Sequence, residues 1–547
     1  MKKFFSILLI FLTIITVTGC KRIIILKTDE PTIINHKKIG AFAKNMNLTF
    51  DDVKFKQRLD ETLDIISDAK DYYDIDEALR KIISSITELT RKYTVADCLT
   101  NYDPNNSEYT EKFNALQDAY YEYEKFYNKM IVEISRDDEF LSQFYAGYDQ
   151  ESIDFEVELA KKKQDENYIA LEKELDDIKN EANKIGINIY SDVMDDELLE
   201  LMFEYVKKNK QLASLLGFDS YIEYADINYS RSYLQSDVDD FIDYTKQYLV
   251  PLLDESGYFV DALALYNNLS IGQKNYFQEF SYSSIYDKDY KTINLLNDYA
   301  KEMSGSYLNS FKNYINTGNF IFADKDDSIE GAYTSKYISY YGPGYQDCTT
   351  VAHEFGHFYS FTNDLLNTKS LDLKEFYSQA NEFLFTNYLE RNSRNNVKAV
   401  YDVNAKIKIG DACRTIVISS ALREFEQKLY TTTLTDKSDI LTIWNNLNNN
   451  SYNGTLQAFW KAEIRYDLYY LSYGTSVTGA LGLYSASKDR FSDAKYKYFL
   501  AVQNDSINDD IVEVLEHAGL SSPFDEKVFI EIANLIKEVW WYEEIRD

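Results

Sequence analysis

Three observations predict a mainly α-helical fold. Turn-forming residues are scarce, with 19 Gly and 5 Pro in 547 residues, whereas many-stranded sandwiches and barrels need frequent turns. Apolar residues recur at helical spacing over long stretches. The balance of 45% hydrophobic and 27% charged residues is that of a globular chain and excludes disorder over most of its length.

The elements follow in order. Lys2 and Lys3 precede an almost wholly apolar run, Phe4 to Val17. Those 14 residues are too few to cross a bilayer, which takes ~20, so the run reads as the h-region of a signal peptide. Val17-Thr18-Gly19-Cys20 resembles the lipobox of bacterial lipoproteins. That resemblance implies cleavage before Cys20, lipidation of its thiol, and a body held on a bacterial membrane facing the periplasm or exterior. Residues 21–45 are polar and mildly basic and read as a tether. No later segment is long and apolar enough to span a membrane.

Residues 46–190 read as an N-terminal helical region, with Gly186 as its boundary, and residues 191–547 as a second domain. Leu159, Tyr168, Leu171, Leu175 and Ile178 recur near helical spacing within a charged stretch, Glu156 to Asn183. That pattern reads as a solvated helical hairpin packed by one stripe rather than a partner-binding coil. Helices are expected at Asp196–Leu216, ending at Gly217, and at Ser236–Tyr248, stopped by Pro251. The stretch 331–345, GAYTSKYISYYGPGY, is rich in Tyr, Thr and Ile and bounded by glycines, and predicts one or two strands. Lys374–Arg391 reads as a helix with Phe376, Phe383 and Tyr388 on its apolar side. Asn445–Gly454 reads as a loop, and Ala501–Asp547 returns to helix. No internal repeat is present.

The formal charge is −32, from 58 Lys+Arg and 90 Asp+Glu. Such acidity repels phosphate backbones and argues against nucleic-acid binding. Four cysteines are too few for a disulfide scaffold. Cys98, Cys348 and Cys413 read as small buried residues.

The chemistry sits in His353-Glu354-Phe355-Gly356-His357. On a helix, positions i and i+4 share a face, so both imidazoles can reach one metal ion, and Glu354 beside them can take a proton. Catalytic zinc takes three protein ligands and keeps one position open. No histidine follows closely after His357, so the third ligand is expected to be a downstream carboxylate. Asp364, Asp372, Glu375, Glu382 and Glu390 are all candidates, and spacing alone does not choose among them. A second cluster is Tyr466, Tyr469, Tyr470 and Tyr473.

With these motifs in view, the chain resembles the M3 metallopeptidases, most of all the oligoendopeptidase F branch. Gly331-Ala332-Tyr333 matches the strand that precedes the family's zinc helix. Asp347 to His357 (DCTTVAHEFGH) matches the segment that leads into the motif. Leu215-Leu216-Gly217-Phe218 with Tyr221, and Ala518-Gly519-Leu520, are looser matches.

The resemblance implies a two-lobed helical fold around a deep substrate channel, with a small sheet beside the zinc helix. It implies one Zn²⁺ held by His353, His357 and Glu382, the last lying 25 residues past His357. It implies Glu354 as general base and Tyr470 and Tyr473 as phenols that stabilise the tetrahedral intermediate. A peptide would lie along Gly331, Ala332 and Tyr333 by strand addition. The expected activity is cleavage of short unfolded oligopeptides. The family usually carries a histidine a few residues before the tyrosines, and here Glu463 or Arg465 occupies that region. The alternative is therefore a peptide-binding lipoprotein of the same fold with weak or no catalysis. A structural surface lipoprotein without zinc is the third reading.

Overall fold

The computed structural model describes residues 41–146, 150–185, 194–256, 265–282, 291–317, 320–323, 328, 331–363, 370–393, 397–448, 456–463, 467–503 and 510–540. The targeting segment, Cys20 and most of the tether lie outside the described residues. The chain is mainly α-helical, as its composition predicts. The helices used below are α1 Asp52–Asp68, α2 Tyr72–Tyr102, α3 Ser107–Ile134, α4 Asp196–Leu216, α5 Gly305–Thr317, α6 Cys348–Asn363, α7 Leu371–Asn392, α8 Lys398–Thr431, α9 Tyr470–Asp489 and α10 Glu526–Trp540. Strands β1 Phe320–Phe322, β2 Ala332–Thr334 and β3 Ser339–Tyr341 complete the set.

Local sequence explains most helix ends. Asp71 begins α2 and Asn106 begins α3, each accepting a hydrogen bond from the first turn. α4 starts at Asp195, whose carboxylate accepts from the amides of Glu197 and Leu198. It ends at Gly217 with φ +85°, a left-handed cap that glycine adopts without a Cβ clash. That is the expected span.

Two compact units emerge. Unit 1 consists of Lys162–Lys274 and Thr368–Asp547, and unit 2 of the described residues up to Lys161 together with Asn275–Asn367. The division differs from a single boundary near Gly186, because the chain leaves each unit and returns to it. Apolar stripes reveal that a helix is packed, not which core receives it.

Unit 2 packs α1, α2 and α3 into a core with Ile82, Leu89 and Ile131 at its centre. Ile321 and Tyr340 of the sheet join the same core. The sheet order is β1-β3-β2, with β1 parallel and β2 antiparallel to β3. The stretch expected to form one or two strands thus forms two, and Ala332 pairs with Tyr341.

In unit 1, α9 packs on both α7 and α8. The approach is close at Gly474, where an added Cβ would stand 2.7 Å from Ser419 Cβ and 3.0 Å from the Phe241 ring. α7 covers the predicted Lys374–Arg391 but has no single apolar side. Phe376 and Phe383 are buried, and so are Asp372, Gln379, Asn381 and Asn387 on other faces.

Three expectations need correction. Pro251 does not stop its helix. Gln235–Tyr244 passes through a π turn, Thr245–Leu249, into Val250–Ser256. Proline lacks the amide that an α-helix would use, and the widened turn just before it absorbs that loss. Asn445–Asn448 close the helix Ser438–Asn448 rather than open a loop, and residues 449–455 lie outside the described residues. The C-terminal helix is interrupted: Ile511–His517 ends at Gly519, φ +70°, before α10 begins. Cys98, Cys348 and Cys413 are buried and unbridged, as expected. Among the described residues no helix is long and apolar enough to cross a membrane.

Candidate metal centre and tyrosine cluster

α6 in unit 2 carries the histidines. Asp347 starts it: Oδ1 accepts from the amides of Thr349 (2.8 Å) and Thr350 (3.2 Å), and Oδ2 from the Thr350 hydroxyl (2.7 Å). The inner face is anchored by Val351, Ala352, Phe355 and Tyr359, all buried. The Phe355 ring meets Tyr307 and Phe311 of α5 edge-on, both at 5.1 Å. Tyr314, also from α5, lies 4.8 Å from the Phe358 ring. This aromatic packing fixes the roll of α6.

With the roll fixed, His353 and His357 stand on successive turns of one face, their ring centroids 5.1 Å apart. Glu354 is 3% exposed and His357 9%. Burial, with the charge of Glu354 contributing, pushes the phenol of Tyr341 well above its ordinary range. Tyr341 and Tyr314 share a hydrogen bond, and Tyr314 donates to Ser339 Oγ at 3.0 Å.

β2 packs beside α6. Among the described residues it is one of the two edge strands of the sheet, and its residues are only partly buried. Gly331 precedes it with φ +120°, a conformation open to glycine, and its carbonyl accepts from the Gly342 amide at 2.7 Å. The Tyr333 side chain is committed elsewhere. Its hydroxyl donates to Asp97 Oδ2 (2.7 Å) and accepts from Asn101 Nδ2 (2.9 Å), both on α2. The backbone, not this side chain, is what the strand offers.

Unit 1 carries the carboxylates and the tyrosines. Asp364 lies outside the described residues. Asp372 is fully buried beside Arg231, with Arg231 Nε 3.6 Å from Oδ1. Lys408 Nζ donates to Glu382 Oε1 at 2.5 Å, so the residue that the resemblance puts in the ligand role is held in an ion pair. Tyr484 donates to Glu390 Oε2 at 2.7 Å. Glu375, buried on α7, accepts from the Tyr469 hydroxyl at 2.6 Å.

The Tyr469 and Tyr473 hydroxyls are 3.2 Å apart. Burial, and then the charge of Glu375, push the Tyr469 phenol well above the usual tyrosine value, so it stays a proton donor. The Tyr470 ring lies tilted at 52° to that of Tyr473, their centroids 6.4 Å apart. The resemblance points to Tyr470 with Tyr473, whereas the hydrogen-bonded pair next to Glu375 is Tyr469 with Tyr473. The one signal that could have found Tyr469 is its i, i+4 relation to Tyr473. Tyr466 and Arg465 lie outside the described residues.

Comparison with solved structures comes down on one architecture. A protein assigned as oligoendopeptidase F, from crystals grown by microfluidic seeding, matches with a TM-score of 0.69 at 14% identity, over 91% of this chain and 98% of its own. One assigned as oligoendopeptidase F from Bacillus anthracis gives 0.68 at 15%, over 92% and 98%. The chain has the oligoendopeptidase fold. PZ peptidase A, solved with an inhibitor, gives 0.67 at 15%, over 91% and 99%. No family model matches the sequence, and no curated protein matches it.

Proposed function

We propose that this protein is a zinc-dependent endopeptidase acting on short unfolded oligopeptides. The observation that carries the reading is the α6 arrangement: two imidazoles on one helical face and a buried carboxylate, Glu354, next to His353 in the chain. Two neutral imidazoles and a carboxylate are a donor set that suits catalytic zinc. The fold shared with oligoendopeptidase F and PZ peptidase A supports the same reading.

For the third ligand we propose Glu375 in place of Glu382. The ion pair of Glu382 with Lys408 counts against Glu382. The hydrogen bond from Tyr469 orients the Glu375 carboxylate, as the outer hydrogen-bond partners of metal ligands do. With two imidazoles, a carboxylate such as Glu375 completes the donor types that catalytic zinc takes.

A zinc ion held there would polarise the scissile carbonyl and acidify water. Glu354 then takes the proton of the attacking water and passes it to the leaving amine. Tyr473, backed by Tyr469, donates to the oxygen that becomes negative in the transition state. The open edge of β2 aligns an extended peptide by backbone hydrogen bonds.

Glu354→Gln keeps the side-chain volume and removes the base. Peptide cleavage should be abolished while bound zinc is unchanged, and retained cleavage would exclude Glu354 from this role. The alternative of a peptide binder without catalysis predicts that wild type also binds peptide with no turnover at saturating zinc. An intact Glu354 weighs against it, since binding alone has no use for a base.

A further inference from the structure

A buried ionic cluster lies directly behind the tyrosine pair in unit 1, and the mechanism above does not use it. At its centre is Arg231, whose side chain is 0% exposed. Nη1 donates to Asp226 Oδ1 at 2.7 Å. Nη2 donates to the Leu468 carbonyl at 2.7 Å and to Ser472 Oγ at 2.9 Å. Nε faces Asp372 Oδ1 at 3.6 Å. The Ser472 hydroxyl donates to that same Asp372 oxygen, and Ser476 Oγ donates to the Asp372 carbonyl at 2.7 Å. Arg423 Nη2 takes the second oxygen of Asp226 at 2.5 Å. Two arginines thus face two aspartates, and the cluster is formally neutral.

One guanidinium therefore ties three pieces of chain together: the start of α7 at Asp372, the first turn of α9 at Ser472, and the turn between them in space at Leu468. That turn needs holding. Leu468 is buried with φ +57°, a left-handed conformation that disfavours a branched side chain. α9 has no side-chain cap of its own. Asp467 is gripped as well: its carboxylate accepts from Tyr221 (2.7 Å) and from Tyr205, and its carbonyl from Tyr229 (2.6 Å). Tyr469 is the next residue after this turn. Glu375 is three residues past Asp372, almost one helical turn on.

We propose that Arg231 is a positioning residue for the Tyr469–Tyr473 pair. It holds Leu468 in its left-handed conformation and sets the register of α9 against α7, and hence the tyrosines against Glu375. A buried ion pair adds little net stability over a well-packed apolar replacement but can specify geometry. The assignment of a catalytic effect rests on the peptidase reading, while the geometric effect does not.

The test uses the full chain carrying 3-fluorotyrosine at position 473. It is read by ¹⁹F NMR, thermal unfolding, zinc content and peptide kinetics, in Arg231→Lys and the milder Ser472→Ala. Lysine keeps the charge but cannot span three acceptors. Both variants should fold, keep their zinc and shift or broaden the ¹⁹F resonance. kcat should fall by about tenfold or more with KM held within about twofold, the mark of an interaction made in the transition state. An unmoved resonance and unchanged kcat in folded variants would overturn the proposal. A moved resonance in a protein that cleaves no peptide, wild type included, would uphold the positioning role and refute the peptidase reading instead.

Discussion

At the residue scale, HExxH is legible in the sequence, while spacing leaves the choice among the downstream carboxylates open. Two imidazoles four residues apart have one simple use, and α6 presents them as expected. Glu375 and Glu382 are seven residues apart on α7, two turns along the same face, so helical geometry cannot separate them. Counting from His357 to a family position also counts through the connection between α6 and α7, whose length is free to change. What separates the two is the partner: Lys408 for Glu382 and Tyr469 for Glu375. Tyr473→Phe should then lower kcat by about 10²–10³ with zinc retained, which peptide kinetics and elemental analysis check together. Glu390 supplies a pH test. Burial raises its folded pKa against the opposing hydrogen bond from Tyr484. The folded state therefore holds the proton more tightly, and this contribution to stability is full below the unfolded value and lost as pH rises through the folded one. Glu390→Gln should gain in Tm relative to wild type as pH rises above about 4, the unfolded glutamate value, and a constant Tm difference would contradict it.

At the element scale, helix starts were the legible part, because a capping Asp or Asn next to an apolar stripe is local chemistry, as at Asp195 and Asp347. α7 was legible as a helix but not in its orientation: residues on all its faces are buried, so no stripe marks the side that carries Glu375. Pro251 misled because its helix answers with a π turn, which no local pattern announces. The contact of α9 with α8 belongs to this scale too. Gly474→Ala would bring a methyl to 2.7 Å from Ser419 Cβ. Overpacking of that kind should cost about 1–3 kcal/mol, seen as a lower Tm in calorimetry, and an unchanged Tm would mean that α9 can shift freely.

At the scale of the whole molecule, the mainly helical class follows from composition, and solved structures of similar fold share it over nine-tenths of the chain. The division into two units was hidden. Each is built from separated stretches, and the chain turns between them carry no shift in composition that would mark a boundary. The direct test is zinc per chain, by elemental analysis of the purified full-length protein beside Glu375→Ala and Glu382→Ala. The account predicts about one zinc in wild type and in Glu382→Ala, and a large loss in Glu375→Ala. Zinc lost from Glu382→Ala but kept by Glu375→Ala would contradict the ligand assignment, and no zinc in any of the three would contradict the peptidase reading itself.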